Sequence, residues 1–349
     1  MGFLRLILSL SVVLYHAGSL FGYTGMNGLV AVHIFFIISG FYMALIIKNK
    51  YSKAKRPYYT FITNRFLRIY PIYWVVLALM IFVEYTKLSN LNLISILPNI
   101  FSTLSNYINL RKPFGIIEDF TLLLRGDYLN IDMFRYDALT VGPAWTLVLE
   151  FIFYLTAPFL LFIKRRYLFS LALISLFIYY LITHYHFLKG DHYIQTFFIP
   201  ANFFFFIMGI FSYYLYERIK KRKIKVKYSF IISLLFLIAI FLWNYLPEAT
   251  FRWVLIKEWL IYFLTPFVIP LMFESFNLLP MNNFMADLSY ATYISHILSI
   301  GFLQISLNYK ITEKFFSFWA VLITLVISIA LVYLVEKPID ILRQKRVKG

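Results

Sequence analysis

Apolar runs of about 20 residues, separated by short polar segments, extend along the whole chain. A run of this length can cross a bilayer as a helix, because each helical residue adds about 1.5 Å. The pattern therefore predicts an all-α, polytopic membrane bundle of about ten transmembrane helices. The predicted spans are 3–22, 28–48, 66–87, 143–163, 167–187, 196–216, 228–247, 254–274, 287–308 and 315–335.

One further segment, 91–110, is apolar but carries Pro98 and several Asn and Ser residues. Counting it as a span would invert every later loop and turn two strongly basic loops outward, against the usual charge bias. We therefore predict an interfacial or re-entrant helix inside a long outer loop, 88–142. A long loop among short ones is more often functional than idle, although a plain solvated loop is the alternative.

The distribution of charge predicts the orientation of the bundle. Most of the 33 Lys and Arg residues fall in segments that a cytoplasmic N-terminus would place inside. The positive-inside rule therefore predicts that both termini are cytoplasmic. The same distribution explains the net charge of +17 better than binding to nucleic acid does.

Composition agrees with a membrane protein. The chain is 61% hydrophobic and only 14% charged, whereas ordinary globular domains carry about 25% charged residues. It contains no cysteine, which excludes a disulfide framework, a thiol nucleophile and a Cys-ligated metal. We expect a single integral-membrane domain over residues 1–349.

Two titratable residues within the predicted spans, His16 and Glu150, suggest acid–base chemistry. Arg5 and His16 lie on the first span, roughly 16 Å apart along the helix axis. Counted from the span ends, His16 and Glu150 both lie roughly 10 Å below the outer surface. A carboxylate beside an imidazole fixes its tautomer and raises its basicity, which suits a general base acting on a hydroxyl. A structural hydrogen-bonded pair is the alternative.

Other polar residues of the spans allow two interpretations each. Arg65 and Arg68 stand three residues apart and share a helix face, where they could bind phosphates or simply follow the positive-inside bias. His33 and His296 could line a polar path or hydrogen-bond a neighbouring helix. The histidines of 184–192 are interpreted as part of a solvated loop rather than a metal site.

Six short motifs, in order along the chain, together resemble those of membrane acyltransferase family 3, the integral-membrane O-acyltransferases of bacterial envelope glycans. Arg5 and His16 match its basic residue, ten residues, then His. The remaining matches are VHIFFIISGF, NRFLRIYPIYW, AWTLVLEFIFYL, SYATYISH and the late VEKP. Thr146 stands where the family pattern has Ser. The resemblance covers almost the whole chain.

This resemblance implies an acyl-CoA donor, usually acetyl-CoA, that arrives from the cytoplasm, and no metal. It implies that His16 is catalytic and that Arg65 and Arg68 lie near the CoA phosphates. The physical interpretation of the spans adds Glu150 as the residue that orients His16, and Arg5 as a further residue at the CoA phosphates. His33, Trp145 and His296 are then expected along the substrate path. Some members carry a fused C-terminal hydrolase-like domain that completes the transfer. This chain ends soon after its last span, so we expect it to deliver the acyl group itself.

The sequence thus favours an O-acetyltransferase of the bacterial inner membrane that modifies lipopolysaccharide O-antigen or another surface polysaccharide. The expected partners are acetyl-CoA, an envelope glycan or lipid-linked oligosaccharide, and membrane lipids, but not nucleic acid; homo-oligomerisation is left open. His16 would act as base or carry the acetyl group transiently. The alternatives are a glycan or lipid transporter without chemistry, another acyl group such as succinyl, or a small lipid acceptor.

Overall fold

The structure of the protein is a computed structural model that describes residues 1–89, 141–185, 198–222, 226–245, 251–276, 279–306 and 313–348. The segment 91–110, nearly all of the long loop 88–142 and most of the histidine cluster at 184–192 lie outside these residues. Within the described part, the chain is α-helical, with short 3₁₀ segments and a single π-helical turn, and has no strands.

Ten helices follow the ten predicted spans, and this confirms the all-α bundle. Eight helices of the described residues are long and apolar enough to cross a membrane. Of the others, α1 has only 16 residues, and α9 buries several Ser, Thr and His side chains. The helices are α1 Gly2–Ala17, α2 Gly28–Asn49, α3 Pro57–Ser89, α4 Trp145–Leu160, α5 Arg165–Tyr185, α6 Ile199–Arg222, α7 Val226–Phe241, α8 Phe251–Phe276, α9 Asn282–Ser306, α10 Glu313–Leu331 and a terminal α11 Lys337–Lys348.

Helices α1 and α9 lie parallel and in register. The side-chain oxygen Oδ1 of Asn282 accepts hydrogen bonds from the amine of Met1 at 2.7 Å and from the amide of Gly2 at 2.6 Å, which caps the start of α1. A Cβ at Gly2 would meet the backbone of α9, so the two helices approach closely there. Fourteen residues further along both helices, the rings of His16 and His296 lie 5.1 Å apart.

Helices α2 and α6 form the aromatic centre of the bundle, and they are also parallel. His33 stacks on Phe205 with ring centroids 3.9 Å apart, and Phe36 stacks on Phe206 at 4.6 Å. Aromatic pairs of this kind add stability beyond the area they bury. This rigid centre holds α2 in place beside the polar interior described below.

Arg68 joins three helices near the end of the bundle where Met1 lies. Its guanidinium is ion-paired with Asp287 of α9 at 3.2 Å and with Glu336, which is buried at the end of a π-helical turn after α10. The hydroxyl of Tyr290 on α9 also donates to the carbonyl of Ile69 on α3 at 2.7 Å. These bonds tie α3, α9 and the segment that follows α10 together.

The Arg68–Glu336 pair makes a prediction about stability. We expect Glu336→Gln to destabilise the fold by roughly 3 kcal/mol, because it removes one partner of a buried ion pair. Differential scanning fluorimetry of the purified protein measures the change as a lower Tm. The matched control is Asp340→Asn, whose half-exposed carboxylate pairs with Arg343 at 3.1 Å and should matter little. Equal Tm values for the two variants would contradict the structural role.

The side of the membrane on which each terminus lies remains a prediction from the charge bias. A reporter that fluoresces only in the cytoplasm, fused after Arg222 at the end of α6, should light up. The same reporter fused after Tyr245, at the end of the turn that follows α7, should stay dark, because α7 would carry it across. The reverse pattern would mean that the bundle is inserted with the opposite orientation.

Candidate functional site

A polar cavity of about 440 Å³ opens at the end of the bundle where Met1 lies, between α1, α2, α3, α4, α9 and α11. Four arginines line it, and they come from three different parts of the chain: Arg5, Arg65, Arg68 and Arg343. Glu150, Asp287 and Asp340 supply negative charge in the same wall. A cavity with this surplus of guanidinium groups suits an anionic ligand with several phosphates.

The four arginines differ in how far their charges are already paired. Arg68 is held by Asp287 and Glu336, and Arg343 by Asp340. The buried Nε atoms of Arg5, Arg65 and Arg343 have no hydrogen-bond partner among the described residues. The arginines with an unpaired buried Nε are therefore Arg5, Arg65 and Arg343, whereas Arg68 is the one whose charge is paired by two carboxylates.

A second, narrower cavity of about 40 Å³ continues from the first towards the other end of the bundle. This is room for about three water molecules. Arg5, Phe35, Glu150 and Tyr290 border both cavities. The farther wall of the narrow cavity is formed by residues of α4 and α9, namely Thr146, Ser289 and Tyr293. The two cavities together form a path from the arginines into the centre of the bundle, polar at the arginines and lined in its narrow part by apolar side chains as well, such as Phe36 and Leu147.

Glu150 lies at the junction of the two cavities. Its carboxylate accepts a hydrogen bond from the hydroxyl of Tyr154 at 2.9 Å, and the Ser39 hydroxyl lies 3.4 Å from the same tyrosine oxygen. Thr146, one turn before Glu150 on α4, donates to the Pro143 carbonyl at 3.0 Å and also contacts the Tyr293 hydroxyl at 3.0 Å. One face of α4 thus borders the path along its length.

The predicted pairing of His16 with Glu150 is not found: the described residues contain no ion pair between them. The reason is that α1 ends at Ala17, where Gly18 takes a φ of 93° that favours glycine. His16 is therefore in the last turn of a shorter helix, and its side chain is exposed. Glu150 lies deeper, more than one turn into α4, so the two depths do not match.

His296, rather than Glu150, is the partner of His16. It is fully buried, and its Nδ1 lies 2.7 Å from the Tyr293 carbonyl. A carbonyl only accepts, so Nδ1 must carry a proton, and in the neutral form of the ring Nε2 is then an acceptor. This Nε2 has no hydrogen-bond partner among the described residues. The edge of Tyr15 also packs against His16, with ring centroids 5.3 Å apart.

His33 was expected on the substrate path, but it lines neither cavity. Its Nδ1 lies 2.9 Å from the Tyr262 hydroxyl of α8, and its ring is enclosed by Phe205 and other aromatic side chains. This location favours the alternative interpretation, a hydrogen bond between helices. Trp145 is partly buried at the first residue of α4, next to Thr146, and does not line the narrow cavity.

A third cavity, of about 320 Å³, lies at the end of the bundle where His16 is found. Its wall includes Tyr15, Asn27, Trp243 and Asn244. The buried side-chain nitrogen of Asn244 has no hydrogen-bond partner within the described part of the chain. Aromatic faces and amide groups of this kind suit a polyhydroxylated ligand. No sequence motif marks this cavity, because its wall combines the end of α1, the loop before α2 and the turn after α7.

The described residues contain no cluster of three or more His, Cys, Asp or Glu side chains that could hold a metal. The acyltransferase-domain family matches residues 1–337 of the 349. No curated protein and no solved structure gives a significant match. The chain therefore belongs to this acyltransferase family, as its motifs indicated, and is a multi-pass membrane acyltransferase.

Proposed function

We propose that this membrane acyltransferase moves an acetyl group from cytosolic acetyl-CoA to a hydroxyl of a cell-envelope glycan at the bacterial inner membrane. Lipopolysaccharide O-antigen or another surface polysaccharide is the proposed acceptor. The observation that carries the proposal is the path of two cavities that begins at the arginines at one end of the bundle and ends at Thr146 and Tyr293. His296 does not line it, but its ring contacts the Tyr293 carbonyl beyond that end. Acyl transfer across a membrane needs both a donor site and an acceptor site connected in this way.

The donor end of the path fits the charge of CoA. Arg5, Arg65 and Arg343 surround one cavity with guanidinium donors that the described residues leave unpaired. Guanidinium groups bind phosphate through two parallel hydrogen bonds. The tail helix α11 contributes Arg343, so it would close the site on the side where CoA arrives.

The narrow cavity marks the route that we propose for the thin part of the donor, and its side chains would have to move apart to admit it. A pantetheine arm extends roughly 15–20 Å by ordinary bond geometry, while Arg5 and His16 are roughly 16 Å apart along α1. With its phosphates on the arginines, the donor would place its thioester near the histidine pair. Glu150 keeps a place in the proposed site, beside the path and across from Arg5, where its charge would hold that guanidinium in position.

The acceptor end would supply the base. His16 would accept the proton of the sugar hydroxyl while the oxygen attacks the thioester carbonyl, and the thiolate of CoA would leave and take up a proton. A neutral His296 with an unprotonated Nε2 would lie next to the His16 ring. When His16 takes up the proton, the pair would therefore carry one positive charge and not two. Alternatively, His16 would carry the acetyl group transiently. The cavity with Trp243 and Asn244 would hold the sugar.

The direct test is turnover by the purified protein. Incubation with acetyl-CoA and an acceptor glycan should release free CoA and increase the glycan mass by one acetyl group. Succinyl-CoA, offered in parallel, tests whether another acyl group is preferred. Movement of the glycan across a vesicle membrane without CoA release would instead indicate a transporter.

Donor binding should depend on Arg65. We expect Arg65→Ala to weaken acetyl-CoA binding by about 1.5–3 kcal/mol, the range for hydrogen bonds to charged groups, as measured by isothermal titration calorimetry. Arg65→Lys should recover only part of the loss, because an ammonium lacks the planar fork. Arg56→Ala is the matched control, since Arg56 is exposed and lies outside the cavity. Equal binding by all variants would remove the phosphate role.

Turnover should depend on His16. We expect His16→Gln to lose activity by about 10²-fold or more, because an amide cannot accept a proton near neutral pH. Acetyl-CoA binding should survive, which would separate lost chemistry from lost folding. His296→Gln should lower kcat and change its pH profile, because the side chain acts through His16. Full activity of folded His16→Gln would show that His16 is structural and would move the base to His296.

A further inference from the structure

A second basic pocket, separate from the path, lies between α2, α5 and α6. It encloses about 350 Å³ and shares no lining residue with the arginine cavity. Its charged residues are Lys48, Arg165, Arg218 and Lys221, with Glu217 as the acidic one. Four cations around one anion leave a surplus of positive charge within a small volume. The proposed acyl transfer does not use this pocket.

Two of the four cations lie near the same aromatic ring. The guanidinium of Arg165 lies 4.4 Å from the centroid of the Tyr214 ring, and the ammonium of Lys48 lies 6.0 Å from the same ring. Contacts of this type attract a cation to the face of a ring and restrict its motion. Like charges gathered in this way repel one another, so the pocket is prepared for an anion.

The surroundings of the pocket are apolar. Four residues after Arg165, Phe169 contacts Phe211 of α6, with ring centroids 6.4 Å apart. Phe169 is itself 56% exposed, and Phe162, in the turn before α5, is 88% exposed. On a membrane-spanning bundle, such side chains face the acyl chains of lipids. The pocket therefore joins an anion site to a surface that suits hydrocarbon.

The pocket lies at the same end of the bundle as Arg5. Helix α2 begins beside Tyr15, because a Cβ at Gly28 would touch that ring. Its far end, which carries Lys48, therefore lies near Met1, and Ile46 from the same turn lines the arginine cavity. This is the end that the charge bias places in the cytoplasm, where anionic headgroups concentrate.

We propose that this pocket binds the phosphate headgroup of an acidic phospholipid, whose acyl chains lie along the exposed surface of α5 and α6. A lipid headgroup and inorganic phosphate both carry the negative charge that the cations would bind. The apolar surroundings of the pocket favour the lipid, because it also has acyl chains. Basic pockets between transmembrane helices bind anionic headgroups in this manner. A bound lipid would connect α2, α5 and α6 without taking part in the chemistry.

Two neighbouring arginines provide a matched test. Arg165 lines the pocket, whereas Arg166 stacks on the adjacent Tyr167 at 4.7 Å and donates to its hydroxyl at 2.9 Å. Both are exposed and carry the same charge. A general attraction between a basic surface and anionic lipid would be weakened equally by Arg165→Gln and Arg166→Gln. A built site would be weakened only by Arg165→Gln.

The experiment uses the full chain in nanodiscs of phosphatidylcholine, titrated with phosphatidylglycerol and followed by native mass spectrometry. We expect wild type and Arg166→Gln to retain phosphatidylglycerol equally, and Arg165→Gln to bind it about fivefold more weakly, since a basic residue near the surface contributes about 1 kcal/mol. Arg218→Gln should behave like Arg165→Gln. The Tm in pure phosphatidylcholine should be the same for all variants, which separates loss of the site from loss of folding.

Three outcomes would overturn the proposal. Equal loss for Arg165→Gln and Arg166→Gln would indicate general surface attraction. If inorganic phosphate raised the Tm of wild type as much as phosphatidylglycerol does, the pocket would be a site for free phosphate. Weaker acetyl-CoA binding in Arg165→Gln would assign the pocket to the donor.

Discussion

The in-register pairing of α1 with α9 is the contact on which the rest of the site depends. Asn282 binds the first two backbone nitrogens of α1 and fixes the helix along its axis. A shift of one turn would cost both hydrogen bonds and would move Gly2 away from the backbone of α9 that it contacts at Asn282 and Ala286. The same register places His16 beside His296 and Arg5 beside the arginine cavity. One cap therefore sets both ends of the path.

The charges of the polar interior are arranged in two groups with different roles. Arg68 and Glu336 neutralise each other and hold helices together. Arg5, Arg65 and Arg343 keep buried nitrogens that the described residues leave unpaired. Burying such donors costs free energy unless a ligand pairs with them. This cost is consistent with the proposed phosphate site, which lies beside the aromatic contacts of α2 with α6.

The sequence predicted the helices well, because each membrane-spanning helix requires a long apolar run that is visible in the hydropathy of the chain. It also singled out Arg5, Arg65 and Glu150, which line the cavities, and His16 and His296, whose rings lie against each other. The pairing between them was not predictable in the same way. The depth counted from the predicted span ends placed His16 level with Glu150, but Gly18 ends α1 earlier than hydropathy alone indicates. Which face of a helix contacts its neighbour depends on packing, which the sequence pattern does not give.

Two further features required the tertiary structure. The tail residue Arg343 looked like one more positive-inside charge, yet α11, which continues from α10 through the π-helical turn, brings it to the cavity. Arg68 shares a motif and a helix face with Arg65, yet its ion pairs with Asp287 and Glu336 depend on contacts across more than 200 residues. Motif spacing identified the arginines but could not separate the one that binds helices from the one that is free to bind a ligand.

The central claim is that the donor reaches from the arginine cavity into the narrow cavity. The chain has no cysteine, so Ser289→Cys would place a single thiol in the wall of the narrow cavity, where Ser289 is fully buried. The measurement is the rate at which a small methanethiosulfonate reagent modifies this thiol with and without acetyl-CoA. The account predicts slow modification that saturating acetyl-CoA suppresses at least tenfold. An unchanged rate, in protein shown to bind acetyl-CoA, would contradict it.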